Sequence, residues 1–203
     1  MERKMIKFNF LKAVSLGLVL SISGLANAGL ISADFRTESD LPSGSFGPKV
    51  YENLGQNLGP GYELDGSHFI ANPSNWGGGV VWMDFDPINN QLLLDSQDGS
   101  DFETFDAFFT NIVFDDPLEY ISGIMLMSGE LVVPSVTPMF MVSANSIQII
   151  YDAPAGNTFN FTNDSARFQI FTTTSTVGVV SEPATLAIFA LGLMGLGLRR
   201  FKK

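Results

Sequence analysis

From Gly79 to Asp86 apolar and polar side chains alternate: Val81, Met83 and Phe85 point one way, and Trp82, Asp84 and Asp86 the other. A period of two with one apolar face is the signature of a half-buried strand. Short β-rich runs of this kind recur along the chain. They are Phe105 to Phe109, Ile112 to Phe114, Ile121 to Met127, Leu131 to Val133, Met139 to Val142, Ser146 to Tyr151, Thr158 to Phe161 and Ala166 to Thr172. Within them Ile147, Ile149, Tyr151, Phe168 and Ile170 are read as inward. Asp-Asp-Pro, Ser-Gly and Thr-Pro turns close most of these runs, and no long segment of the body has helical apolar spacing. The pattern predicts an all-β domain of about nine strands, an antiparallel β-sandwich of jelly-roll type, with a closed barrel as the alternative. Asp34 to Trp76 is richer in Gly, Pro and Asn and is expected to hold long loops with one or two edge strands.

The two ends follow a different rule. Arg3, Lys4, Lys7 and Lys12 precede an apolar run from Ala13 to Ala26, and Ala26-Asn27-Ala28 supplies the small residues of a processing site. This is the order of a signal-peptide helix, with cleavage after Ala28 leaving Gly29 as the first mature residue. At the far end Ala184 to Leu198 carries no charge, and Arg199, Arg200, Lys202 and Lys203 follow it directly. At 1.5 Å per residue such a run makes a helix of roughly 22 Å, short of the roughly 30 Å hydrocarbon layer. Arg199 and the terminal lysines snorkel to the headgroups and the bilayer thins, so the helix is expected to span the membrane. Leu186, Leu191, Leu193, Leu196 and Leu198 form its apolar wall, and the basic stop stays on the cytoplasmic side. The expected division is a signal peptide over 1–28, a β domain over 29–171, a tether over 172–180, with prolongation of the last strand as the alternative, and a sorting segment over 181–203.

Ser181 to Lys203 reads Ser-Glu-Pro-Ala-Thr-Leu-Ala-Ile-Phe-Ala-Leu-Gly-Leu-Met-Gly-Leu-Gly-Leu-Arg-Arg-Phe-Lys-Lys. This tail resembles the PEP-CTERM sorting signal of Gram-negative bacteria. Glu182 and Pro183 match the last two motif positions, and Ser181 stands in place of the first proline. The resemblance implies an exported chain that passes through the secretion machinery and is held in the inner membrane. It further implies processing near the motif by an exosortase, in species that make extracellular polysaccharide and biofilm. It covers the tail alone and implies nothing about the activity of the body. Pro183 confines Glu182 to extended backbone, so the motif is expected to stay open at the outer membrane boundary, within reach of an enzyme in the same bilayer.

Composition sharpens this picture. The chain is 45% apolar and 12% aromatic, enough for a hydrophobic core in one ordinary domain. Its formal net charge of −10 hides an uneven distribution: Gly29 to Glu182 holds three bases, Arg36, Lys49 and Arg167, against twenty acids. So acidic a body repels nucleic acid, which is excluded as a partner. The absence of cysteine removes disulfides, thiol nucleophiles and thiolate metal sites.

Candidate chemistry in the body is sparse. His68 is the lone histidine, and neither a Gly-x-Ser-x-Gly elbow nor a Gly-Lys-Ser/Thr phosphate loop occurs. Gly77-Gly78-Gly79 reads as a flexible approach to the strand at Val80. No enzyme activity is expected; the alternative is a polysaccharide hydrolase using Asp84 and Asp86, since glycoside hydrolysis needs two carboxylates. Asp95, Asp98, Asp101 and Glu103 gather oxygen ligands around a Gly turn and are candidates for Ca²⁺, with Asp115-Asp116 next. Trp76 and Trp82 are candidates for stacking on a sugar. The reading is an exported, membrane-anchored surface or matrix protein, the alternative a carbohydrate-binding module assisted by calcium.

Overall fold

The computed structural model describes residues 29–40, 47–73, 75–129, 131–133 and 136–175. The expected signal peptide, with Ala26 and Ala28, and the tail, with its motif and the expected leucine wall and basic stop, lie outside the described residues.

The described chain is all-β and antiparallel, and its largest sheet has six strands. β1 (Leu30–Asp40) pairs with β2 (Lys49–Asn57) on one side and with β7 (Thr104–Phe114) on the other. β3 (Phe69–Ala71) lies outside β2; β11 (Ser146–Asp152) and then β10 (Met139–Ser143) lie outside β7. A four-stranded sheet runs β4 (Val81–Asp86), β5 (Gln91–Ser96), β13 (Ser165–Thr174), β8 (Glu119–Ser128). A third, small sheet joins β6 (Asp101–Phe102), β12 (Phe159–Phe161) and β9 (Val132–Val133).

The alternation seen in the sequence decides which faces meet. Val81, Met83 and Phe85 of β4, Ile147, Ile149 and Tyr151 of β11, and Phe168 and Ile170 of β13 are all buried, as their spacing predicts. Phe85 of the four-stranded sheet stacks on Phe109 of the six-stranded sheet at 5.1 Å between ring centroids, so the two inner faces share one core. The small sheet closes one end of that core with Phe102, Phe159 and Phe161, whose rings meet at 4.0–4.3 Å and reach Phe105.

The structure departs from the sequence reading in four places. Asp34 to Asp40 is not loop or edge: it belongs to β1, an interior strand of the large sheet. Its inward positions include Thr37 and Ser39, both buried, and bulges near Ser32 and Asp34 break the period of two. β5 was hidden because Leu92-Leu93-Leu94 shows no alternation, although only Leu92 and Leu94 face the core. The runs at 105–109 and 112–114 form the single strand β7, which is interrupted in pattern by Asn111 at φ 49°. At the other end β13 continues to Thr174, pairing Thr172, Thr173 and Thr174 with Ile121, Tyr120 and Glu119, so the first residues of the expected tether are strand.

Candidate functional site

The outer face of the four-stranded sheet brings polar and aromatic groups together. Trp82 lies opposite Asp95, and Asp84 opposite Leu93; Leu93 in turn lies opposite Arg167 of β13. Because side chains alternate across a strand, burying Val81, Met83 and Phe85 obliges Trp82, Asp84 and Asp86 to face outward. Above them the loop after β2 brings in Tyr62, 39% exposed, which the sequence pattern gave no reason to select. Its ring stands edge-on to Trp82 at 5.0 Å and 71°, and its hydroxyl donates to Asp95 Oδ2 at 2.6 Å.

The loop is held from both sides of Tyr62. Leu64 exchanges backbone hydrogen bonds with Met83, donating at 3.1 Å and accepting at 2.9 Å. Glu63 turns its buried carboxylate inward to accept from the backbone N–H groups of Phe85 (2.8 Å) and Gly59 (3.2 Å). Burial raises the Glu63 carboxyl, and these two donors oppose the rise. The Tyr62 hydroxyl is pushed up to about 12, first by its hydrogen bond to the Asp95 carboxylate. It therefore stays a neutral donor across the physiological range. Burial raises Asp84, the Asp86 carboxylate adds to the effect, and Arg167 works against it.

Asp84 and Asp86 share a face but have different employments. Asp86 closes the β4–β5 turn, accepting from Ile88 N–H (2.8 Å), Asn89 N–H (3.2 Å) and Asn89 Nδ2 (2.6 Å). Those donors hold its carboxyl below the usual range, the Asn89 side chain most. Trp82 presents one ring face beside Tyr62 while its indole N–H is buried and has no partner among the described residues.

The four acids proposed for calcium do not converge. Asp95 is on β5 and is taken by Tyr62 and Gln97. Asp98 turns the other way and accepts from the backbone of Gly79 (3.2 Å) and Val80 (3.0 Å). Asp101 accepts from Asn160 Nδ2, and Glu103 lies between β6 and β7. No group of three or more His, Asp or Glu is placed to hold a metal ion among the described residues. The reason is chain direction: the stretch is two strands and a connection, not one loop folding its carboxylates inward. Asp115 and Asp116 serve backbone donors, Gly29 and Leu118 respectively.

Trp76 is not a partner of Trp82. Its ring packs on Phe102 at 5.7 Å, at the margin of the core, and its backbone N–H donates to Asn72 Oδ1. Gly78 and Gly79 pass close over that ring and are tightly enclosed, whereas Gly77 has open space beside it. A Cβ at Gly79, where φ is +78°, would lie 2.6 Å from Ser39 Cβ and 2.7 Å from Trp76 Cη2; one at Gly78 would lie 2.8 Å from Trp76 Cζ2. Ser39 Oγ donates to the Gly79 carbonyl at 3.2 Å, and Lys49 Nζ donates to Gly77 at 3.1 Å. Burial lowers the Lys49 ammonium, with Asp98 opposing. His68 serves the short 3₁₀ turn Gly66–His68: its Nδ1 accepts from Asp65 N–H at 3.0 Å in a capping box.

Among the described residues no helix is long and apolar enough to cross a membrane, and the expected span at 184–198 lies outside them. Comparison with known proteins gives one result, and it concerns the tail. Residues 179–201 match the family model of the PEP-CTERM protein-sorting motif. No curated protein and no solved structure matches the chain.

Proposed function

From a chain that carries a PEP-CTERM sorting motif, we propose an exported envelope protein whose β domain is delivered outside the inner membrane, retained by its tail and processed there by an exosortase. The single observation that carries this reading is the match over residues 179–201. The charge order supports it: the apolar stretch Ala184 to Leu198 precedes four basic residues, which favours a cytoplasmic end and an external body. The domain acts without enzyme chemistry, as a surface or matrix component associated with extracellular polysaccharide. Its scaffold in this reading is a jelly-roll-like β-sandwich, supported by two antiparallel sheets around one core. Deleting residues 184–203 is expected to move the domain from the membrane to the periplasm or the medium. Fractionation that still finds the shortened chain in the membrane would overturn the reading.

A second reading, carbohydrate binding, is favoured by one arrangement: half-buried Trp82 and exposed Tyr62 side by side near Asp84, Asp95 and Arg167. Aromatic faces stack on the apolar faces of sugar rings while carboxylates and guanidinium take hydroxyl groups. Since the acids of 95–103 are turned apart, this reading proceeds without calcium. Retention of the wild type on immobilised polysaccharide, lost in W82A, is the expected result; equal retention of the two sinks it.

A further inference from the structure

Where β1 begins, two residues far apart in sequence form a closed pair. The Gly29 N–H donates to Asp115 Oδ1 at 2.8 Å, and the Asp115 N–H donates back to the Gly29 carbonyl at 3.0 Å. Asp115 opens the turn between β7 and β8, and Leu30 next to Gly29 pairs with Phe114, so the pair fastens the start of an interior strand to its neighbour. The Gly29–Asp115 bond lies at the exposed surface, where water reaches it.

Signal-peptide cleavage after Ala28 changes the chemistry of that nitrogen. Water adds across the Ala28–Gly29 peptide bond, Ala28 leaves with a carboxylate, and the Gly29 amide becomes a primary amine that is protonated near neutral pH. We propose that Asp115 is the binding site for this new ammonium, so that maturation converts an amide hydrogen bond into an ion pair and locks β1 into the sheet. The inference rests on cleavage after Ala28. The surroundings suit a cation: the β7–β8 turn offers Asp115 and Asp116, the end of β7 offers Val113 and Phe114, and the end of β2 offers Asn57 and Leu58, none of them basic. Asp116 is occupied by Leu118 N–H, leaving Asp115 as the carboxylate aimed at the nitrogen.

The test is a coupling cycle on protein recovered from cells: the wild type, D115N, a variant with one serine inserted between Ala28 and Gly29, and the two changes combined. The insertion returns the Gly29 nitrogen to an amide and moves the charge one residue away; D115N keeps an acceptor without the charge. Near pH 6 each change is expected to lower the melting temperature by roughly 1–3 °C, the range of an exposed ion pair, and the combination by no more than either alone. An amine whose folded pKa is raised by its partner stabilises below its unfolded pKa, about 7.7–8.0, and loses that contribution as pH rises through the folded value. The wild-type advantage should therefore vanish by about pH 10. Additive losses, or a difference that ignores pH, would overturn the lock. Intact mass separates the two failures: a recovered chain that does not begin at Gly29 defeats the cleavage reading, whereas a Gly29 start without coupling defeats only the role of Asp115.

Discussion

The two tryptophans sit in regions that use the same ring for opposite ends. Trp76 packs on Phe102 beneath a run of glycines, and its indole helps seal the core. Trp82, on a regular strand, is turned outward by the alternation that buries Met83 and Phe85, and meets Tyr62 beside a carboxylate. Close approach of backbone to an aromatic face demands glycine, so the Trp76 region should be intolerant of added atoms. The Trp82 region is only half-covered, by the loop that carries Tyr62, and should be more tolerant in stability and sensitive in recognition.

The sharpest break in that contrast comes from Gly79→Ala. The added Cβ meets Ser39 and Trp76 at a positive φ of 78°, combining overlap with backbone strain. A loss of about 2–5 kcal/mol is expected, measured by denaturant unfolding. A loss within the error of that measurement would show that the glycine run has slack. Trp76→Ala follows, with an expected cost of about 2–4 kcal/mol because the ring fills space against Phe102. Trp82→Ala should cost only about 1–2 kcal/mol, since the side chain is half-buried at the sheet surface and its N–H has no partner to lose among the described residues. Equal costs for the two tryptophans would erase the distinction.

The same contrast explains what was legible in the sequence. Trp82, Asp84 and Asp86 could be placed on one face because burial and period two act together in β4. β1 could not, because Thr37 and Ser39 point inward where apolar residues are expected, and bulges shift the register. Ser39 is polar for a local reason: its hydroxyl satisfies the Gly79 carbonyl, a partner forty positions away. Tyr62 was equally hidden. It follows Gly59-Pro60-Gly61, which signals a turn but not where the turn leads; the direction is set by the long-range bonds of Glu63 to Phe85 and of Leu64 to Met83. The acids of 95–103 show the converse: density along the chain does not bring these carboxylates together, because separate partners take Asp95, Asp98 and Asp101 one by one. Local spacing fixes which face a side chain takes, and distant partners fix what it faces.

The smallest expected effect concerns the hydroxyl that ties Tyr62 to this face. Tyr62→Phe keeps the ring against Trp82 and removes the donor to Asp95 Oδ2. Asp95 retains Gln97 and solvent, so the loss at neutral pH should stay within about 1 kcal/mol. The pH dependence is more telling than the size. The hydroxyl titrates at about 12 in the folded chain, above the usual tyrosine value of about 10, because its proton is held by the Asp95 carboxylate. A group with a raised folded pKa stabilises below its unfolded pKa and loses that contribution as pH climbs through the folded one. Wild type should therefore lose stability between about pH 10 and 12 more steeply than Y62F. Burial also raises Tyr51 and Tyr151, so both proteins share an alkaline decline and only its difference reports on Tyr62. Superimposable alkaline limbs would mean that the hydroxyl is not held by Asp95 in solution. The outer face would then lose the contact that orients Tyr62 against Trp82.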